Sequence, residues 1–255
     1  MKKYKGYFID LDGTMYRGTE KIEEAEEFVK KLKEKGISYL FMTNNSSKTP
    51  KQVAEKLISL GIPAEEHQIL TSSIATANFI WERKQNASIY VIGEEGLRKA
   101  LEEKGFRFVD ENPDFVVVGI DRNINYEKLA KACLAVRAGA TFISTNGDTA
   151  LPTERGLLPG NGAITSVISV STNVQPIFIG KPEKIIVEQG LKMLKTKKEE
   201  TLLVGDNYET DIKAGIQSGM DTLLVHTGVT TKEHLKHKEI QPTYTVNNLS
   251  EWHVL

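Results

Sequence analysis

The sequence predicts an α/β protein whose main domain is a doubly wound parallel sheet. Short apolar runs of strand-like composition alternate with segments of helical periodicity along most of the chain. Four of the apolar runs end in polar residues, and one gap between them has room for a second α/β domain. The length of 255 residues also suits two domains of ordinary size.

The first part of the chain begins with a β-α-β unit. Proline at the first helical position and glycine after the last turn bound a second helix, from Pro50 to Gly61. The elements predicted up to this point and just beyond it are a strand at 7–9, a helix at 22–35, a strand at 37–42, a strand end at 69–72 and a helix at 74–81.

The alternation restarts at about residue 88, and its position indicates an inserted domain. The gap from Thr43 to Lys181 is much longer than the gap from Asp12 to Thr43. We therefore place an α/β insertion at residues 74–175 and the core domain at 1–73 and 176–255. The later predicted elements are strands at 89–92, 115–118, 141–143, 176–179, 201–204 and 222–225, and helices at 94–104, 126–138 and 211–218.

Polar residues follow four of the strands predicted for the core. Asp10 and Asp12 follow the first strand, and alternation along an extended chain puts both carboxylates on one side. Thr43, Lys181 and Asp206 follow three later strands. If these strands are parallel in one sheet, their carboxyl ends face one crevice, where such sheets bind ligands. The sequence therefore predicts that these residues converge.

The converging groups match the needs of phosphoryl transfer. Carboxylates such as Asp10 and Asp206 are hard oxygen ligands suited to Mg²⁺. The Lys181 ammonium would share the charge of the phosphate oxygens with that cation. The sequence has no Gly-x-x-x-x-Gly-Lys-Ser/Thr loop, which argues against a nucleotide triphosphatase of the P-loop type.

Composition limits the partners. The formal net charge of -1 offers no excess of positive charge to recruit a nucleic acid polymer. No apolar stretch is long enough for a membrane span, which predicts no membrane partner. The start of the chain lacks the apolar core of a signal peptide, and Cys133 is the single cysteine. These features predict a cytoplasmic protein.

Four ordered motifs resemble those of the haloacid dehalogenase superfamily. They are Asp10-x-Asp12-Gly13-Thr14, Thr43-Asn44, Lys181, and Gly205-Asp206-x-x-x-x-Asp211. Further likeness to the NagD-like, or p-nitrophenyl phosphatase, branch lies in segments 43–47, 145–148, 159–162 and 204–207. The resemblance runs over nearly the whole chain. It implies a Mg²⁺-dependent phosphatase with a Rossmann-like core and an inserted α/β cap domain.

The resemblance also implies a mechanism. Asp10 would be the nucleophile that forms an aspartyl-phosphate, and Asp12 would protonate the leaving oxygen and later deprotonate the water. The metal would be held by the Asp10 carboxylate, the Asp12 backbone carbonyl and Asp206, with Asp211 in support behind them. The residues expected to bind the phosphoryl group of the substrate are Thr43, Asn44, Asn45 and Lys181.

Substrate choice is expected to reside in the cap, which would close over the phosphate. The candidate loop spans 145–162, where Asn146 and Asp148 are the predicted substrate contacts, together with Thr153, Glu154 and Arg155. Asn-Gly and Pro-Gly pairs in this loop also simply form turns. The expected substrates are small phosphorylated metabolites, namely sugar phosphates, nucleoside monophosphates and p-nitrophenyl phosphate. Related caps sometimes form dimer contacts, and the sequence leaves the oligomeric state open between a monomer and a homodimer.

Three other functions fit parts of the pattern. In a phosphotransferase or mutase, the aspartyl-phosphate would pass to another hydroxyl instead of water. A receiver domain of a signalling relay also combines acidic residues, a phosphorylatable aspartate, a threonine and a lysine at strand ends. That fold needs only about half of this chain and carries its phosphate acceptor on a later strand, so the first-strand position of Asp10 argues against it. A sensor that binds sugar phosphates without catalysis is disfavoured by the complete catalytic set.

Overall fold

The computed structural model describes residues 2–153 and 155–255, and the α/β fold predicted from the sequence is confirmed within them. These residues form two compact units. Unit 1 comprises the segment up to Thr43, Pro50–Leu70 and Lys181–Leu255, and unit 2 comprises Asn44–Thr49 and Thr71–Gly180. Glu154, a predicted substrate contact, lies outside the described residues.

Strands and helices alternate along most of both units. The described strands are β1 (Gly6–Ile9), β2 (Tyr16–Arg17), β3 (Glu20–Lys21), β4 (Ser38–Thr43), β5 (Ile69–Thr71), β6 (Ser88–Ile92), β7 (Arg107–Phe108), β8 (Phe115–Val118), β9 (Thr141–Ser144), β10 (Ala150–Thr153), β11 (Gly156–Pro159), β12 (Ile177–Phe178), β13 (Thr201–Gly205), β14 (Asp221–Val225) and β15 (Tyr244–Val246).

The described α-helices are α1 (Ala25–Glu34), α2 (Pro50–Ser59), α3 (Ser72–Arg83), α4 (Glu95–Glu103), α5 (Tyr126–Arg137), α6 (Asn161–Thr172), α7 (Lys184–Leu194), α8 (Lys213–Ser218) and α9 (Lys232–Lys236). A π-helical turn at Tyr208–Ile212 leads directly into α8. In the part of the chain that the structure covers, no helix combines the length and apolar character needed to cross a membrane.

The sheet of unit 1 brings three strand ends to one edge. Its order is β15-β14-β13-β1-β4-β5, and β1 pairs in parallel with both β13 and β4. Ile9, the last residue of β1, lies opposite Val204 on one side and Phe41 on the other. Because the strands are in parallel register, the residues that follow them leave the sheet at the same edge. Asp10 and Asp206 are among these residues, and Thr43 is the last residue of β4 at the same edge.

The sheet of unit 2 has the order β12-β9-β8-β6-β7, and its paired strands are parallel. The strand that precedes Lys181 belongs here, because Ile177 lies opposite Ile143 and Phe178 opposite Ser144. Its predicted place in the core sheet, at 176–179, was therefore wrong. An apolar run indicates burial against some sheet but does not identify the strand with which it pairs.

The limits of unit 2 also differ from the insertion predicted at 74–175. Ser72, at the start of α3, donates a hydrogen bond of 2.7 Å to the Asn44 carbonyl. The backbone N–H of Ile179 donates a 3.1 Å bond to the Ser144 carbonyl. These bonds attach residues 71–73, 176–180 and the 44–49 segment to unit 2. That this unit selects the substrate stays a prediction.

Several described elements were absent from the predicted pattern, namely the strands β2, β3, β7, β10, β11 and β15 and the helices α6, α7 and α9. The loop predicted at 145–162 contains an antiparallel hairpin of β10 and β11. The short strand β15 extends the sheet of unit 1 beyond β14. The helix predicted at 211–218 begins with the π-helical turn, which starts at Tyr208. Short strands and irregular turns leave little periodicity to detect.

Gly96 provides a test of how the 44–49 segment is attached. A Cβ at this position of α4 would lie 2.4 Å from the carbonyl oxygen of Lys48. We expect Gly96→Ala to destabilise the protein by about 1–3 kcal/mol through this overlap, although alanine favours a helix over glycine by up to about 1 kcal/mol. Urea denaturation measures the difference. Lys99→Ala, on the exposed side of the same helix, is the control, and a Gly96→Ala protein as stable as the control would contradict the close contact.

Candidate active site

A tight turn after β1 positions the first carboxylates. Asp10 is half-buried, and the N–H of Gly13 donates to the Tyr16 carbonyl at 2.7 Å. Gly13 has a φ of 91°, in the left-handed region that favours glycine. A Cβ on Gly13 would also lie 2.4 Å from an Asp206 oxygen. The glycine therefore permits both the turn and the approach of Asp206.

Asp206 and Asp211 follow β13, and backbone N–H groups hold the side chains of both. Both side chains are buried, and the Oδ2 atom of Asp206 accepts a 2.6 Å bond from the Val229 N–H. Gly228 makes room for this carboxylate, because a Cβ there would lie 1.9 Å from the same oxygen. The π-helical turn places Asp211 so that its Oδ2 atom accepts from the Asn207 N–H at 3.0 Å.

Lys181, which follows β12, joins these groups. Its side chain is 3% exposed, and its ammonium lies 2.5 Å from Oδ1 of Asp10 and 2.7 Å from Oδ1 of Asp211. It also donates to the Met42 carbonyl, at the end of β4, at 3.0 Å. Burial alone lowers the pKa of Lys181, but the charges of Asp10 and Asp211 outweigh it and raise that pKa above its ordinary value. The ammonium therefore stays charged.

Asp10, Asp206 and Asp211 form a crowded carboxylate cluster. One oxygen from each residue lies within 4.8 Å of the others. Burial, followed by the charges of Asp10 and Asp211, raises the pKa of Asp206 to about 8. Burial and the charge of Asp10 raise the pKa of Asp211 to about 6, although Lys181 acts in the opposite direction. Three hard oxygen ligands that repel each other fit a small divalent cation, which would relieve this repulsion.

Thr14 is a site residue to which the sequence analysis assigned no role. Its hydroxyl lies 3.3 Å from Oδ2 of Asp10 and 3.4 Å from Oδ1 of Asp206, and it is completely buried. The Thr227 hydroxyl donates a 2.6 Å bond to the Gly13 carbonyl, which holds the turn that carries Thr14. The available signal was the position of Thr14 directly after the Asp-x-Asp-Gly motif.

Asp12 follows β1, and Thr43 ends the neighbouring strand β4. Asp12 is exposed, and its backbone forms an isolated bridge with Tyr16. Its side chain is therefore open to solvent. Thr43 is buried at the last position of β4, one residue after the Met42 carbonyl that binds Lys181.

The remaining predicted substrate-binding residues belong to unit 2. The amide nitrogen of Asn44 donates to both Asp148 oxygens, at 3.2 and 3.3 Å. Asn146 donates to the Asn44 carbonyl at 2.9 Å. The Asn45 side chain instead accepts from the N–H and hydroxyl of Ser47, at 2.8 and 2.9 Å, in a turn of its own loop. Asn44, Asn146 and Asp148 therefore form one polar cluster.

Comparison with known families supports the sequence resemblance. A family model described as haloacid dehalogenase-like hydrolase matches residues 7–107. A second model, described as HAD-hydrolase-like, matches residues 178–252. The two matched regions together contain Asp10, Thr43, Lys181 and Asp206.

Named relatives match over nearly the full length. The 5′-nucleotidase YutF of Bacillus subtilis is 66% identical over 252 residues, which cover 99% of this chain and 98% of the relative. The acid sugar phosphatase of Staphylococcus aureus is 54% identical over 252 residues, covering 98% and 97%.

Solved structures show the same fold. A mutant of the thermostable p-nitrophenylphosphatase from Bacillus stearothermophilus aligns with a TM-score of 0.92 at 65% identity, covering 100% of both chains. NagD from E. coli K-12 aligns with a TM-score of 0.94 at 33% identity, again covering 100% of both chains. The predicted resemblance to this family and branch is confirmed.

The raised pKa of Asp206 predicts how stability depends on pH. An aspartate in an unfolded chain loses its proton near pH 4, whereas Asp206 in the folded protein retains it up to about pH 8. Between these values the folded state binds more protons, so the free energy of unfolding of metal-free protein falls as pH rises. Asp206→Asn should remove this contribution. Thermal unfolding of both proteins in a chelator, from pH 5 to pH 8, measures it, and the same pH dependence in both would refute the assignment to Asp206.

The same pKa predicts a pH-dependent effect of Mg²⁺. At pH 5 the cation must displace a proton from Asp206, whereas at pH 8, close to the pKa, about half of the Asp206 carboxylates have already lost it. We expect Mg²⁺ to raise the melting temperature more at pH 8 than at pH 5, by at least about 2 °C, which corresponds to about 1 kcal/mol for a chain of this size. Equal shifts at the two pH values would contradict a cation site that includes Asp206.

Proposed function

This chain belongs to the haloacid dehalogenase-like hydrolases and is a phosphoric monoester hydrolase, and we propose that it is Mg²⁺-dependent and acts through an aspartyl-phosphate on Asp10. The observation that carries the proposal is the cluster at the end of β1. There, Asp10 lies with two buried carboxylates and is bound at one oxygen by the Lys181 ammonium. This combination supplies a nucleophile, ligands for a cation and a positive charge, which are the groups that phosphoryl transfer needs.

The donor set suits Mg²⁺. The residues that would hold the cation are Asp10, Asp206 and the Asp12 backbone carbonyl, with Asp211 close behind because its carboxylate belongs to the same cluster. When bound, the cation supplies positive charge that offsets the charge of the phosphoryl oxygens. Lys181 supplies further positive charge from the protein itself, and it orients Asp10 through the 2.5 Å contact.

In the first half-reaction a carboxylate oxygen of Asp10 attacks phosphorus. The bond from phosphorus to the ester oxygen breaks, and its electron pair stays on the leaving oxygen. Asp12 donates a proton to that oxygen, so the product leaves as an alcohol and Asp12 becomes ionised. Thr43 and Asn44 bind the transferring phosphoryl group. The exposure of Asp12 supports its role in exchanging protons.

In the second half-reaction water attacks the phosphorus of the aspartyl-phosphate. Asp12, now ionised, accepts a proton from this water, and the bond between phosphorus and the Asp10 oxygen breaks. Inorganic phosphate is released, and both aspartates regain their starting states. The Lys181 contact restrains the Asp10 carboxylate throughout both steps.

The relatives support a small phosphomonoester as substrate. One is named a 5′-nucleotidase, another an acid sugar phosphatase and a third a p-nitrophenylphosphatase. We therefore propose nucleoside monophosphates, sugar phosphates and p-nitrophenyl phosphate as substrates, with unit 2 as the cap that distinguishes them. The cytoplasmic location stays a prediction from the sequence, and the choice between a monomer and a homodimer stays open.

Asp10→Asn tests the nucleophile. We expect kcat for every ester to fall on the order of 10⁴-fold or more, because the amide cannot form the covalent intermediate. The measurement is phosphate release in Mg²⁺, with circular dichroism to verify folding. Asp110→Asn, which alters an exposed aspartate in unit 2, is the matched control. Turnover by Asp10→Asn close to that of the control would show the proposed mechanism to be wrong.

Asp12→Asn separates the two half-reactions. p-Nitrophenolate is a stable leaving group that needs no proton, so the first step should continue while the attack of water becomes slow. We expect a burst of nitrophenol of about one equivalent per enzyme, followed by slow turnover. A sugar phosphate, whose alkoxide needs the proton, should give no burst. Stopped-flow absorbance measures the first case and rapid-quench product analysis the second; slow linear release without a burst would argue against this division of roles.

A further inference from the structure

A short loop of unit 2 binds the residues adjacent to two proposed phosphate ligands. Thr43 is followed in the chain by Asn44, and Lys181 is preceded by Gly180. At both places the chain passes from one unit to the other. The backbones of Asn44 and Gly180 both hydrogen-bond the loop at residues 145–148, which we call the 145–148 loop.

The carbonyl of Asn44 is held by two buried donors. The Asn146 side-chain nitrogen donates to it at 2.9 Å, and the Ser72 hydroxyl at 2.7 Å. Asn146 is 5% exposed and Ser72 is fully buried. A carbonyl oxygen has two lone pairs, and both are used here. The backbone directly after Thr43 is therefore restrained in direction.

Gly180 lies against the same loop. Its N–H donates a 2.8 Å bond to the Thr145 carbonyl. A Cβ at Gly180 would lie 2.7 Å from that carbonyl oxygen and 3.1 Å from the Cβ of Asn146. Because Gly180 has no side chain, the backbone before Lys181 can lie this close to the 145–148 loop.

The side chain of Asn146 is fully engaged inside the protein. Besides its bond to Asn44, its nitrogen lies 3.4 Å from the Thr145 hydroxyl, and its oxygen accepts from the Asp148 N–H at 3.1 Å. Its backbone carbonyl accepts from Asn161 and from Ser144, at 2.9 and 3.0 Å. A buried amide with both ends bonded to the protein is poorly placed to contact a substrate.

We propose that Asn146 is a positioning residue for the phosphoryl group rather than a contact to the leaving group. By holding the Asn44 carbonyl, Asn146 fixes the backbone at the end of β4 and so the position of Thr43. The 145–148 loop, which binds the Gly180 N–H, fixes the backbone that leads into Lys181 in the same way. This inference rests on the proposed function and replaces the substrate-binding role predicted for Asn146. If Asn146 acts in this way, a substitution of Asn146 lowers activity by the same factor for every ester substrate.

Substrates with different leaving groups test this role. Asn146→Ala should lower kcat/KM by one common factor, about 100-fold, for a sugar phosphate, a nucleoside monophosphate and p-nitrophenyl phosphate, because a small displacement of binding groups can cost this much. The inhibition constant of inorganic phosphate should rise as well, since phosphate has no leaving group. Ser72→Ala, which removes the other bond to the Asn44 carbonyl, should change the same quantities in the same direction.

One control variant separates a positioning role of Asn146 from a loss of protein stability. Asn125→Ala removes the N-cap of α5, where the Asn125 oxygen accepts from the Lys128 N–H at 3.0 Å, and should lower the melting temperature without changing either constant. If Asn146→Ala does not fold, the nearly isosteric Asn146→Asp, which loses the donor to Asn44, replaces it.

Two results would overturn the inference. One is a loss that differs strongly between esters with phosphate inhibition unchanged, which would make Asn146 a contact to the leaving group. The other is wild-type kinetics in both Asn146→Ala and Ser72→Ala. Failure of the proposed function is seen separately, as full activity of Asp10→Asn or as no hydrolysis by the wild-type protein.

Discussion

The buried ammonium of Lys181 is the constraint on which the site depends. The Lys181 side chain is only 3% exposed, and a buried ammonium is tolerated only where nearby carboxylates and carbonyls replace its water. Its partners are Asp10 after β1, the Met42 carbonyl in β4, and Asp211 after β13. Because the Lys181 ammonium binds groups at the ends of three strands, these strands must keep their register for the site to form. The parallel pairing of β1 with β4 and β13 provides that register.

The same cluster contains more negative charge than Lys181 can balance. Three carboxylates share the space, and the pKa values of Asp206 and Asp211 rise as a result. Gly13 and Gly228 allow this crowding, since a side chain at either position would overlap Asp206. The fold thus holds these carboxylates together against their mutual repulsion, which a divalent cation would offset. The same carboxylate cluster therefore determines both the pH dependence of the stability of the metal-free protein and the proposed cation site.

Much of this site could be predicted from the sequence, because apolar strands followed by polar residues mark the carboxyl edge of a parallel sheet. β8 has the predicted bounds, and Asp10 and Asp206 lie together at that edge of the sheet of unit 1. Lys181 contacts Asp10 as predicted, although the strand before it belongs to the other sheet. The pairing of Ile177–Phe178 with β9 was missed, because hydrophobicity does not specify a partner strand. The engagement of Asn146 was also missed, because an Asn-Gly pair indicates a turn and not which backbone groups its side chain binds.

Identification of the phosphorylated residue tests the central claim most directly. Asp12→Asn protein would be mixed with p-nitrophenyl phosphate and Mg²⁺, quenched in acid within the first turnover, digested, and mapped by mass spectrometry. We predict one phosphoryl group on the peptide that contains Asp10, and none on that peptide after the further change Asp10→Asn. Phosphate on another residue, or unmodified Asp10 during a confirmed burst of nitrophenol, would contradict the proposed mechanism.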